Sequence, residues 1–211
     1  MIATKYNYGY DKYSYPMDIN FGSYFRKAPH RGDVIVFRFT KNPNITYVKR
    51  LIGLPGDHIQ VINGNLLLNG IEVKDVQLSP YNIPYVNRNS SGGAMGKVEY
   101  HAGHIYKETL TQGVTYDIAK LDNIPSHYAS ILFANNTPEY VVPEGKYFFM
   151  GDDRDNSSDS RFLEDLGFVP QENLVGKVQF VLYSMEWKHP KYEFWYWPME
   201  IRFNRFFHRI Q

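Results

Sequence analysis

Two Asn-Gly pairs, Asn63-Gly64 and Asn69-Gly70, follow each other in quick succession. Asn-Gly suits the type I′ hairpin turn, because both residues tolerate positive φ. Apolar Ile59 to Ile62 precedes the first pair, and Leu66 to Leu68 lies between the two. The chain must therefore double back in short antiparallel strands here. The same grammar runs along the rest of it. His30-Arg31-Gly32-Asp33 reads as a turn before a strand over Val34 to Phe39. Asn42-Pro43-Asn44 reads as the next turn, and Tyr47 to Ile52 as a second strand. That strand stops at Leu54-Pro55-Gly56-Asp57, where Pro and Gly fit the central positions of a type II turn.

Strand-like runs recur around Ile105, at Val114 to Ile118, at Lys146 to Met150 and at Lys177 to Tyr183. The last two flank a polar loop from Gly151 to Asp165. Pro80 to Gly96, with Ser90-Ser91-Gly92-Gly93 at its centre, is expected to be an exposed loop. The first 30 residues read as strand fragments and loops. There is no internal repeat and no long segment of helical period. Aromatic content of 17%, with 18 Tyr and 14 Phe, agrees with strands. The expected fold class is mainly β, with antiparallel sheets.

Composition removes several functions. With 23 basic and 22 acidic residues the net charge is +1, which gives no field to attract nucleic acid. With Cys 0 there is no disulfide, thiolate metal site or cysteine nucleophile. No apolar run approaches the roughly 18 residues of a spanning helix, and Met1 to Tyr8 lacks the apolar core of a signal peptide.

Two stretches carry chemistry. In an extended strand Lys49 shares a face with Tyr47 and Leu51. An ammonium between such neighbours loses hydration and its pKa falls, which suits a general base. The plainer alternative is a lysine whose stem packs while its amine reaches water. The loop Gly151-Asp152-Asp153-Arg154-Asp155-Asn156-Ser157-Ser158-Asp159-Ser160-Arg161 holds four carboxylates and two guanidiniums. Asp153, Asp155, Ser157, Asp159 and Glu164 fit positions 1, 3, 5, 7 and 12 of a calcium loop. Against this, Ser158 occupies the position that wants Gly, and a strand precedes the loop where a helix is required. The loop could otherwise be a solvated turn, or an Arg–Asp network holding a serine hydroxyl in place.

Together these stretches resemble bacterial signal peptidase I. Val48 to Asp57 is similar to the family block around its lysine. Gly151 to Arg161 is similar to the block written GDNRDNSxDSR, except that Asp153 stands where Asn is usual. His30 to Phe37 resembles a third block, and Gly167-Phe168-Val169-Pro170 and Asn173-Leu174-Val175-Gly176 resemble the segment that follows the loop. The resemblance implies a membrane-bound serine endopeptidase that removes signal peptides from exported preproteins with a Ser/Lys dyad. Lys49 would be the base. Ser157 would orient it, Asp159 and Arg161 would support it, and Asp152 and Arg154 would brace the loop. Val36, Tyr47 and Val48 would meet the signal peptide, which adds as an extended strand. No metal and no organic cofactor is implied.

The resemblance also implies an antiparallel β catalytic core, residues 1–58 plus 142–211, with a smaller β domain inserted at 59–141. It places the enzyme on the outer face of the bacterial cytoplasmic membrane. The family nucleophile sits in a Ser-Met-x-Pro block. No such block occurs in this sequence, so the nucleophile and the membrane anchor are expected upstream of Met1. Ser14 and Ser23 lack that context. A non-catalytic, peptide-binding relative is the alternative. The tail, with Trp187, Trp195, Tyr196 and Trp197 and the spaced Arg202, Arg205 and Arg209, suits either a core strand and helix or contact with a lipid surface.

Overall fold

A computed structural model describes residues 2–4, 28–87, 97–111, 113–124, 129–181 and 208–209. The elements in chain order begin with β1 (Ile2–Thr4), β2 (Val34–Phe39), β3 (Asn42–Gly53), β4 (His58–Ile62), β5 (Asn65–Leu68) and β6 (Ile71–Glu72). Then come β7 (Lys74–Asn87), β8 (Lys97–Thr109), β9 (Thr115–Leu121), α1 (Ala129–Ala134), β10 (Tyr140–Val141) and β11 (Lys146–Met150). The last are β12 (Val169–Pro170), β13 (Leu174–Val181) and β14 (His208–Arg209). Every strand pair is antiparallel, as the turn signals imply. The chain is mainly β.

Three sheets form. The largest has the order β1-β13-β2-β3-β11-β12, with β14 also on β13. A four-stranded sheet runs β10-β4-β5-β6, and a three-stranded one runs β7-β8-β9. Both Asn-Gly reversals are where the sequence puts them. Asn63 and Gly64 have φ of 50° and 77° between β4 and β5, and Asn69 and Gly70 have 54° and 74° between β5 and β6. The type II turn also forms: Gly56 has φ of 85°, and the Asp57 N–H donates to the Leu54 carbonyl at 3.0 Å.

Three expectations need correcting. Asn42-Pro43-Asn44 is strand, not turn, because Phe39 pairs with Asn42 and leaves only Thr40 and Lys41 to reverse the chain. Pro80 to Asn87 is strand, not loop. β7 is an edge strand, where a proline lacking an N–H is tolerated, and Pro80 and Pro84 pair with His104 and Tyr100 of β8. Of the expected loop, 88–96 lie outside the described residues. The strand expected over Lys177 to Tyr183 is β13, and it starts at Leu174, opposite Phe37, ahead of Lys177.

The core explains the apolar run at β11. Phe148 and Met150 enter one cluster with Ile52, Ile59, Leu66, Tyr116 and Ile118. Tyr147 and Phe149 enter another with Ile35, Phe37, Leu51 and Leu174. Alternate side chains of one strand thus serve two cores, so from Tyr147 to Met150 neither face carries a charged residue. Burying each such side chain contributes about 1.5–3 kcal/mol. The first cluster draws on all three sheets, so apolar packing is continuous across residues 58 and 141. β4 to β10 supply only the two smaller sheets. Among the described residues no helix is long and apolar enough to cross a membrane.

Candidate active site

β3 lies between β2 and β11, and it presents Lys49 on the face shared with Tyr47 and Leu51. The Lys49 Nζ donates to Ser157 Oγ at 2.7 Å and lies 5.9 Å from the centre of the Tyr47 ring. Burial strips hydration from the ammonium and holds its pKa below the ordinary lysine value. The Asp159 carboxylate opposes this, Arg161 adds to it, and Asp153 and Asp152 oppose it.

Ser157 reaches Lys49 because the chain leaves β11 at Gly151 and passes through one 3₁₀ turn, Arg154–Asn156. A Cβ on Gly151 would stand 2.2 Å from Ser157 Oγ. Only glycine lets the hydroxyl sit there.

Beneath this pair lies an ion pair taken fully out of water. Asp159 is 0% exposed and Arg161 1%. Arg161 Nε donates to Asp159 Oδ1 at 2.9 Å, and its second amino group donates to Oδ2 at 3.0 Å. The Gly151 N–H also donates to Asp159 Oδ2, at 3.0 Å. Burial alone would raise the Asp159 carboxyl. Arg161, the Gly151 N–H and the Ser157 hydroxyl outweigh it and hold the group below the ordinary carboxylate range. Both partners are satisfied, which is the condition for tolerating buried charge.

Asp152 and Arg154 both pair with residues outside the loop. Arg50 donates to Asp152 twice, at 2.8 and 2.9 Å, and stacks 3.9 Å from the Tyr116 ring centre. Arg154 makes a buried two-pronged pair with Glu108 of β8, and the Tyr116 hydroxyl donates to the same carboxylate. Burial, then the Glu108 charge, drives the Tyr116 phenol well above its ordinary value. Asp155 accepts from the Leu121 N–H at 2.7 Å and the Asn135 amide at 2.8 Å.

Glu108, Tyr116 and the role of Arg50 escape sequence reasoning. Alternation does put Arg50 on the opposite face from Lys49, but nothing local links Arg154 to a glutamate on another sheet. The residues of the calcium frame do not converge. Ser157 is on Lys49, Asp159 on Arg161, and Asp155 on Leu121 and Asn135.

Val36 and Val48 are a cross-strand pair, and Val48 is 37% exposed. Alternation puts them on the face opposite Lys49, whereas Tyr47 stays on the Lys49 face and stacks on Phe37 at 6.2 Å. Ser14, Ser23 and Trp187 to Arg205 lie outside the described residues.

This is a β-sheet protein organised around an amine held against a hydroxyl on a scaffold of buried ion pairs. A family model described as signal peptidase, peptidase S26, matches residues 1–183. Signal peptidase I of Rickettsia akari is 40% identical over 188 residues, covering 87% of this chain and 64% of that protein. Signal peptidase I of Rickettsia bellii is 36% identical over 231 residues, covering 100% of this chain and 71% of that protein. A solved signal peptidase I from Enterococcus faecalis is 29% identical, covers 72% of this chain and 97% of that one, and has a TM-score of 0.37. The chain belongs to the signal peptidase family, peptidase S26. It spans less than two thirds of the length of the R. akari protein.

Proposed function

We propose that this chain carries the catalytic β core of a bacterial signal peptidase I, which cleaves N-terminal signal peptides from exported preproteins. The observation that carries the reading is the Lys49–Ser157 contact of 2.7 Å, with the lysine pKa held low by burial. Lys49 is the general base and Ser157 orients its amine. Asp159 and Arg161 fix the loop below them, and Asp152 and Arg154 anchor its start. Val36 of β2 and Tyr47 and Val48 of β3 meet the signal peptide, which adds as an extended strand. The nucleophile is a serine of the family's Ser-Met-x-Pro block, which these 211 residues do not contain.

The neutral amine takes the serine proton, and the oxygen attacks the scissile carbonyl. The leaving amine then departs with that proton, and water opens the acyl-enzyme. No step needs a metal or an organic cofactor. The enzyme works on the outer face of the bacterial cytoplasmic membrane, against the lipid surface, and residues 59–141 form its inserted β domain.

The test is in cells whose only signal peptidase is the full reading frame containing this chain. Lys49→Ala should accumulate unprocessed preprotein. Normal processing by that variant would overturn the assignment. A wild-type protein that binds signal peptide and leaves it intact would replace it with the peptide-binding reading.

A further inference from the structure

The loop has four carboxylates, and three have strong partners. Asp152 is held by Arg50, Asp155 by Leu121 and Asn135, and Asp159 by Arg161 and Gly151. Asp153 differs. Its Oδ1 is buried and, among the described residues, has no hydrogen-bond partner. Its Oδ2 receives only a long bond, 3.4 Å, from the Asn156 amide. A buried carboxylate oxygen left in this state is costly, so its retention needs a reason.

The backbone there is not free to swing the group into water. Asp153 bridges Ala119 of β9, and its carbonyl accepts from the Asn156 N–H at 3.3 Å. It sits between Gly151, where the chain turns, and Ser157, which holds the amine.

The surrounding charges decide which group it acts on. On its own loop, Arg154 is bound to Glu108 and Arg161 to Asp159. On β3, Arg50 is bound to Asp152. On β9, Ala119 has no charge and Lys120 is paired with Asp75. Lys49, whose side-chain hydrogen bond among the described residues goes to a neutral hydroxyl, is the cation whose charge Asp153 feels.

We propose that Asp153 is a positioning residue for the Lys49 amine, acting as its unpaired counter-charge and setting the pH at which the lysine becomes a neutral base. This rests on the assignment of Lys49 as that base. An ionised Asp153 favours the ammonium and holds the base back, and a proton on Asp153 releases it. Burial, with the neighbouring Asp155, raises the Asp153 carboxyl to about 6, so the exchange falls just below neutrality. The two groups titrate as a coupled pair.

Lysine labelled with carbon-13 at Cε reports the amine by NMR, with Lys49→Arg assigning the signal. In wild type, Lys49 should show a second inflection near pH 6, where Asp153 takes its proton. In Asp153→Asn that inflection should vanish, and the main midpoint should fall by roughly half a pH unit or more, less than the shift from a directly paired carboxylate. In the full-length enzyme the acid limb of kcat/KM should move the same way.

An unchanged Lys49 midpoint in folded Asp153→Asn would overturn the role. So would a wild-type lysine signal with no inflection near pH 6, a result that needs no variant to fold. Either outcome leaves the peptidase reading standing. That reading fails separately, if Lys49→Ala still processes preprotein.

Discussion

Replacing Gly151 by alanine puts one methyl group where β11 hands over to the loop. The new Cβ would lie 2.2 Å from Ser157 Oγ, 2.5 Å from Ser157 Cβ and 3.4 Å from Lys49 Nζ. Comfortable separations between such atoms are about 3.5–4.0 Å. Ser157 must therefore retreat by about 1 Å or more. The Lys49–Ser157 bond starts at 2.7 Å, and a move of that size takes it past the range of a good hydrogen bond, about 3.2 Å. Gly151 does not have positive φ, so alanine brings no backbone strain and the damage is steric alone.

Overpacking of this kind costs about 1–3 kcal/mol of stability. A catalytic group displaced by about 1 Å costs on the order of 100-fold in rate. Urea unfolding of this chain should show the first effect, and kcat/KM of the full-length enzyme on a preprotein should show the second. The Lys49 midpoint should move as well, because Ser157 no longer meets the amine. A Gly151→Ala enzyme with wild-type kcat/KM and an unmoved lysine would refute the geometry on which the site is built.

Other perturbations separate the parts of the network. Glu108→Gln leaves Arg154 buried without a counter-charge and should destabilise the fold by about 3–5 kcal/mol in urea melts, although Glu108 is not on the loop. Ser157→Ala removes the bonds to Lys49 and to the buried Asp159 and should cost stability about 1–3 kcal/mol. It should still lower kcat/KM of the full-length enzyme by at least about 10-fold, through loss of amine orientation. Asp153 holds its proton more tightly folded, at about 6, than unfolded, near 3.8. Its contribution to stability is therefore present below 3.8 and lost as pH rises through about 6. Asp153→Asn should flatten the wild-type fall in stability across that window. Asp159 works in the opposite sense: its stabilisation is present above the ordinary carboxylate range and lost as pH falls below it.

The sequence showed the strands and their reversals well, because hairpin turns are local. Asn63-Gly64 and Asn69-Gly70 specify their own φ values, and the strands between them follow. Where a boundary depends on a partner strand, local reading fails. Asn42-Pro43-Asn44 looks like a turn until β2 pairs with it, and Pro80 looks like loop until β8 lies alongside. The six residues of α1 are too few to show a helical period. At the site, alternation along β3 gave the face of Lys49, but only the fold brings it 108 positions along the chain to Ser157. Arg154 and Glu108 are 46 positions apart on different elements, and charge alone does not say which of many carboxylates an arginine will meet.

The way the loop is anchored follows from its composition. A segment of Asp, Arg, Asn and Ser cannot be fixed by apolar burial, yet it closes over a lysine that is largely kept from water. Charges provide the fixing, each matched by a group from a different strand: Arg50 on β3, Glu108 on β8, and the Leu121 N–H on β9. Removing one partner from such an arrangement leaves a buried charge exposed to a low dielectric, so the loop has few alternative positions of comparable energy. Glu108 and Leu121 belong to the three-stranded sheet, while Lys49 belongs to the large one. The sheet that carries none of the proposed catalytic groups is therefore part of what holds Ser157 at 2.7 Å from the amine.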